Sequence, residues 1–177
     1  DYECIVCVVD ATNLERNLNL VLQISEITDR IVVLLNLCDE AKKRNIKINC
    51  EKLSEMLGVP VVKATARSGR GINHLLEAVH NVITGNEKPK PKGITYISPI
   101  EQAAGVLERA GVERYKALRM LEDGKEPDDL KLKAAYMKAQ GILERFNVSG
   151  DHFIESRTLS VFQKSDLISK TVSEALP

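Results

Sequence analysis

Two short segments close apolar runs in this chain: Asn36-Leu37-Cys38-Asp39 and Ala64-Thr65-Ala66-Arg67. An Asn-x-x-Asp turn after a buried strand suits one purine. The carboxylate of Asp39 can accept two hydrogen bonds, from the ring N1–H and the exocyclic amino group of guanine, and adenine offers no such donor pair on that edge. Asn36 would meet the N7 side of the ring with its amide and hold the neighbouring loops, while the backbone N–H of Ala66 could donate to guanine O6. Discrimination then comes from polar groups left unpaired when the wrong base enters, an effect of several kcal/mol where burial is good. Alone, Asn-x-x-Asp is a weak signal that more often describes a structural turn. With a strand before it, and with Ala64-Thr65-Ala66-Arg67 in register after the next strand, it reads as a guanine-binding constellation of Asn36, Leu37, Asp39, Thr65, Ala66 and Arg67.

Such loops need strands beneath them. Ile5-Val6-Cys7-Val8-Val9 is too short for a helix and rich in β-branched residues, so it predicts a strand buried on both faces, the mark of a parallel sheet. Ile31 to Leu35 and Val59-Pro60-Val61-Val62 predict two more. Between them, Leu14, Leu18, Val21 and Leu22 recur at helical spacing, with Thr12 as the cap and Glu15 completing a capping box. A helical segment follows around Glu40 to Arg44. Asn49 predicts the cap of a helix carrying Leu53, Met56 and Leu57 and ended by Gly58, and Ile72 to Ile83 predicts another stopped near Gly85. Strands alternating with helices imply an α/β fold with a doubly wound parallel sheet, whose ligand sites lie beyond the carboxyl ends of the strands. Asp10, Asn36 and Thr65 fall at those ends.

Lys88-Pro89-Lys90-Pro91-Lys92-Gly93 predicts a solvated linker, because alternating prolines favour an extended spacer. Beyond it the period is helical throughout. Ser98-Pro99-Ile100-Glu101 orders a cap, a first-turn proline and a capping-box glutamate. Further helices are expected from Val112 to Leu121, from Asp128 to Phe146, and from Asp151 towards the end, forming a bundle of short helices. The expected division is therefore 1–87, a linker at 88–93, and a helical domain at 94–177.

With 25 basic and 25 acidic residues in 177, the formal net charge is zero, which argues against nucleic acid as a partner. The longest apolar run, Ile31 to Leu35, is far below the ~20 residues of a membrane span, and Asp1 to Asp10 lacks the pattern of a signal peptide, so the chain as given is expected to be soluble. Cys4, Cys7, Cys38 and Cys50 all lie in the first third, unlike a disulfide framework, and read as buried structural thiols in a reducing compartment. No metal site is expected: His74 and His80 are six apart on one helix, His152 stands alone, and Glu126, Asp128 and Asp129 suit a helix start better than a calcium loop. Ser156 and Ser160 have no evident histidine to activate them.

The segments Asp10-Ala11-Thr12-Asn13-Leu14-Glu15-Arg16-Asn17-Leu18, Asn36-Leu37-Cys38-Asp39-Glu40-Ala41, Leu57-Gly58-Val59-Pro60-Val61-Val62 and Ala64-Thr65-Ala66-Arg67-Ser68-Gly69-Arg70-Gly71 resemble the second half of the GTPase domain of the bacterial ferrous iron transport protein B family. The likeness implies a partial P-loop-GTPase-type sheet, second half only, followed by a small all-α domain regarded as a spacer or regulator of nucleotide dissociation. It further implies a membrane-embedded iron-transport domain of the same protein, and a place on the cytoplasmic face of the bacterial membrane. Ile94-Thr95-Tyr96 is similar to the start of that helical domain, and Glu155-Ser156-Arg157 more loosely to its last helix. Leu37 stands where most small GTPases have a lysine; this family commonly has an apolar residue there, which packs on the base without supporting it by charge.

No G-x-x-x-x-G-K-[ST] occurs in the 177 residues; Gly124-Lys125 lacks the upstream glycine. Phosphoryl transfer rests on positioning and neutralising phosphates, so the resemblance implies GTP or GDP as ligand, yet the chain should not hydrolyse GTP on its own. Mg2+ is expected only together with the family's preceding segment. Ile5 to Val9 would keep one unpaired sheet edge. Two other readings stay open: a non-catalytic helical interaction module, with a second chain completing the sheet, or a fragment of another small GTPase, which Leu37 and Asp10 to Leu18 disfavour.

Overall fold

The computed structural model describes residues 2–65 and 67–175, which form two compact units: residues 1–93 with 162–177, and residues 94–161. The first unit contains β1 (Ile5–Asp10), a 3-10 turn (Ala11–Asn13), α1 (Leu14–Ile27), β2 (Ile31–Asn36), α2 (Cys38–Lys43), β3 (Ile46–Ile48), α3 (Cys50–Leu57), β4 (Val61–Lys63) and α4 (Ile72–Thr84). The second contains α5 (Ser98–Arg109), α6 (Arg114–Asp123), α7 (Leu130–Arg145) and the first part of α8 (Gly150–Val172); the rest of α8 and β5 (Ser173–Ala175) belong to the first unit. The expected helical domain ran to residue 177, whereas the helical unit ends at Val161.

The sheet is parallel in the order β1-β2-β4, with Asp10 level with Asn36 and Leu35 level with Lys63. β2 lies in the middle, and Ile31 to Leu35 are all buried, as an uninterrupted apolar run requires. Leu18 and Leu22 of α1 and Leu53 and Leu57 of α3 are buried with them, each worth about 1.5–3 kcal/mol of transfer free energy. β1 departs from the expectation. Cys7 and Val9 are buried, but Val6 and Val8 are exposed, Val8 by 60%. A strand is buried on both faces only where elements cover both, and among the described residues the Val6–Val8 side of β1 is open.

The local stop signals act largely as read. The Asn49 side chain accepts from the Lys52 N–H at 3.0 Å, and Gly58 closes α3 in the left-handed region at φ 73°. Gly85 closes α4 in the same conformation. Thr12, however, is not a cap: the Asp10 carboxylate accepts from the Thr12 N–H at 2.7 Å and from its hydroxyl at 2.8 Å, and α1 starts two residues later. The shorter carboxylate, held at the strand end, captures those donors first. The four cysteines are free thiols, but only Cys7 is buried; Cys4, Cys38 and Cys50 are half-buried.

The proline-rich segment is not a free spacer. The Lys90 N–H donates to the Gly58 carbonyl and the Lys92 N–H to the Leu57 carbonyl, both at 2.9 Å, while Lys164 Nζ donates to the Lys92 carbonyl at 2.6 Å and to that of Gly93. Pro89 and Pro91 carry no N–H, so the remaining donors alternate along the strap and satisfy carbonyls that the end of α3 leaves unpaired. At Gly58 any Cβ would collide with the Lys90 carbonyl oxygen. The lysine side chains of the strap stay exposed while its backbone is tied down.

In the helical unit, Ile100, Ala103, Ala104 and Leu107 of α5 pack with Leu118 of α6 and Ala139 of α7, all fully buried. Ser98 does not cap α5; the Glu101 carboxylate reaches back to the Tyr96 N–H at 2.7 Å, and its two oxygens accept from Arg114 at 2.7 and 2.9 Å. Arg114 and Arg157 lie over the Tyr96 ring, 5.9 and 5.6 Å from its centre, and Arg157 pairs with Glu122. Asp129 caps α7 by accepting from the Lys131 and Leu132 N–H groups, and Glu126 pairs with Lys133. α8, at 23 residues, is longer than the short helices expected.

Candidate functional site

β2 delivers Asn36 to its carboxyl end, and the next residue turns sharply: Leu37 adopts φ 59°, ψ 28°, the left-handed region that leucine seldom enters. Its carbonyl accepts from the Ala41 N–H at 3.0 Å, so the turn opens directly into α2 and places Asp39 in the first helical turn. Ala41 beneath is buried, and this anchors the short helix against the unit. Leu37 and Asp39 both face solvent.

The second loop leaves β4 in the same direction. The Thr65 N–H donates to the Arg70 carbonyl at 2.8 Å, and the Thr65 carbonyl accepts from the Ser68 N–H at 3.1 Å, closing a turn between Thr65 and Arg70. Gly71 makes that closure possible. It sits at φ 85°, and an added Cβ would run into the Lys63 carbonyl and the Ala64 Cα. Thr65 is half-buried and Arg67 exposed; Ala66 lies outside the described residues.

Between the loops is a cavity of about 270 Å³ lined by Cys38, Asp39, Lys42, Lys63, Ala64, Thr65 and Arg70. Of the residues singled out from sequence, the structure brings Asp39 and Thr65 together here; Asn36, Leu37 and Arg67 stand beside this cavity's lining rather than in it. Lys42, Lys63 and Arg70 are additions. Lys42 was legible as the residue one helical turn after Asp39, and Lys63 as the last residue of a strand whose carboxyl end faces the site. Arg70 is placed only by the closed turn.

Burial pushes the Cys38 thiol up, with Lys63 opposing and Asp39 reinforcing the shift. The Cys50 thiol is pushed up to about 11 by burial, against the pull of Lys63, with which it shares a hydrogen bond. Both thiols are therefore neutral at physiological pH, and Asp39 is the single carboxylate in the lining, among three cations. Such a wall can accept from a donor pair at one point and attract a polyanion overall.

Residues 1–79, which include both loops, match the family model described as Ferrous iron transport protein B. Over this stretch the chain is similar to that family. The Fe(2+) transporter FeoB of Escherichia coli (strain K12) is 46% identical over 129 residues, which are 69% of this chain and 16% of that protein. FeoB of Salmonella typhi is 36% identical over 129 residues with the same coverage, so the chain spans about one sixth of the length of these curated relatives. Among solved structures, the cytosolic domain of L. pneumophila FeoB superposes with a TM-score of 0.74 at 27% identity, covering 98% of this chain and 69% of that one. The cytosolic domain of T. maritima FeoB in its GDP form II superposes at 0.76 with 22% identity, covering 98% and 69%, a likeness of fold. The fold is thus an α/β unit with a parallel sheet, largely helical, like the cytosolic domains of FeoB. The match to the family model stops short of the helical unit, whereas the FeoB superpositions extend over nearly the whole chain.

Proposed function

We propose that this chain is the guanine-recognising part of the cytosolic GTP-binding region of a ferrous iron transporter. The observation that carries the reading is that Asp39 and Thr65, from two loops at the carboxyl ends of neighbouring parallel strands, line one cavity. In this reading Asp39 accepts from N1–H and the exocyclic amino group of guanine, Asn36 takes the N7 side, the Ala66 N–H meets O6, and Leu37 packs on the ring. Thr65 and Arg67 shape the second loop. Lys42, Lys63 and Arg70 supply positive potential towards the rest of the nucleotide.

The chain then represents the second half of a P-loop-type domain together with a helical regulatory domain, with membrane-embedded iron transport carried elsewhere in the same protein. Binding and release of GTP or GDP would regulate Fe2+ uptake at the cytoplasmic face of the membrane. The parts that neutralise phosphates, and Mg2+ with them, are assigned outside this chain, so hydrolysis is not assigned to these residues.

The test is a titration of the protein with fluorescent guanine and xanthine nucleotides. Guanine nucleotide should bind preferentially, and Asp39→Asn should invert the preference, because an amide donates where the carboxylate accepts and xanthine offers an acceptor there. An unchanged preference sinks the assignment.

A further inference from the structure

The base loop has a second end. α2 is only six residues long; it begins immediately after Leu37 and ends in a turn in which the Arg44 N–H donates to the Glu40 and Ala41 carbonyls, and the Asn45 N–H to that of Lys42. Asn45, at φ 59°, reverses the chain into β3. β3 then pairs antiparallel with β5, the last described strand: Ile46 opposite Ala175, Lys47 opposite Glu174, and Ile48 opposite Ser173. The ladder is extended by the Asn49 N–H, which donates to the Val172 carbonyl at 2.9 Å, and it is buried at one end, where Ile48 and Val172 are nearly or fully inaccessible. The preceding turns of α8 are fixed to the same unit by the Ser165 hydroxyl, which donates to Asn19 Oδ1 at 2.5 Å, and by Lys164 on the strap carbonyls.

We infer that β3 and β5 form a clamp through which the base loop and the C-terminal strand regulate one another. Ordering of Asp39 and α2 by a bound base tightens the hold on β5, and a tight hold on β5 preorganises Asp39. The inference rests on the guanine reading above and adds its regulation. Three features make the coupling physical. Only Arg44 and Asn45 separate α2 from β3, so a displacement of the short helix is passed on rather than absorbed. The α2–β3 turn and the C-terminal segment also share the wall of one cavity of about 530 Å³, lined by Thr12, Asn45, Ile46, Ser169 and Glu174 among others. Finally, a two-stranded ladder of three residues a side is marginal on its own, so a modest change at either end shifts its population.

Lys47 and Glu174 lie opposite one another with their side chains exposed and paired at 3.7 Å, which makes them the place to lock the clamp. In the full-length protein, Lys47→Cys combined with Glu174→Cys should form a disulfide on oxidation, located by peptide mass; a folded protein that fails to form it overturns the strand pairing. With the lock closed, amide exchange over Glu40 to Arg44 should slow and fluorescent guanine nucleotide should bind about fivefold tighter or more, both reversed by dithiothreitol. Lys47→Glu, which sets like charges across the ladder, should move both readouts the other way without any disulfide. Exchange and affinity that ignore the lock and the charge reversal overturn the clamp. If α2 exchange responds but no guanine nucleotide binds in either redox state, the guanine reading fails and the mechanical coupling stands.

Discussion

In the sheet unit the side chains that would meet a ligand stand at exposed loop ends, whereas in the helical unit the central charges are bound to one another. Asp39 and Arg67 face solvent on loops whose shape is set by backbone hydrogen bonds and by residues with positive φ, Leu37 and Gly71. Glu101, by contrast, is engaged by both terminal nitrogens of Arg114 and by the Tyr96 N–H, with Tyr96 buried beneath two guanidinium groups. The difference reflects core size. The sheet unit has a central strand buried along its length, so its loops can keep polar groups available; the smaller helical unit draws part of its order from a directed ionic network.

That contrast can be broken at its strongest point first. Glu101→Ala removes the carboxylate shared by the Arg114 guanidinium and the Tyr96 N–H, leaving Arg114 with the Ile94 carbonyl and Glu108, and should destabilise the helical unit by about 2 kcal/mol, read as faster amide exchange across residues 94–161 with the sheet unit little changed. The same network has a pH signature. Burial pushes the Glu101 carboxyl up, but the Arg114 hydrogen bonds and the Tyr96 N–H outweigh it, and the net shift is below the ordinary 4.5. A carboxyl lowered in the folded state contributes its stability in full above the unfolded value. That contribution is lost as pH falls from there through the folded value, so acid should loosen residues 94–161, and Glu101→Gln should flatten this dependence.

In the sheet unit, Gly71→Ala imposes both a left-handed backbone and a Cβ against the Lys63 carbonyl, for a cost of about 2 kcal/mol, seen as a lowered unfolding midpoint together with weakened guanine nucleotide binding. Asp39→Asn should do the opposite of Glu101→Ala. As an exposed loop carboxylate it should change the unfolding free energy by less than about 0.5 kcal/mol while altering base preference. A large loss of stability there would mean that the loop is a structural turn, and the contrast between the units would collapse.

Much of this was legible because local chemistry decides it. Asn49, Gly58 and Gly85 mark element ends by donor capture or by positive φ, signals carried by the residue type itself. The strand cores were readable from β-branched runs. Thr12 misled because a capping box is a pattern of types, and the competing acceptor, Asp10, lay just outside it. Val6 and Val8 misled because an apolar run reports capacity for burial, not the presence of a covering element. At the site, Asp39 and Thr65 were legible from motif spacing, while Arg70 was not, since its position follows from a turn closed by the Thr65 N–H.

The sequence by itself determined the parallel order of strand and helix, the residue types at the strand ends, and the likeness to the ferrous iron transport protein B family, because each is written in periodicity or in motifs a few residues long. Only the tertiary structure decided that the proline-rich segment is strapped to α3, that residues from Phe162 onward return to the sheet unit, and that Ser173–Ala175 pairs with Ile46–Ile48. Those are contacts between segments more than 70 residues apart or between weak local signals, and nothing in Ser-Glu-Ala favours a strand until a partner edge is beside it.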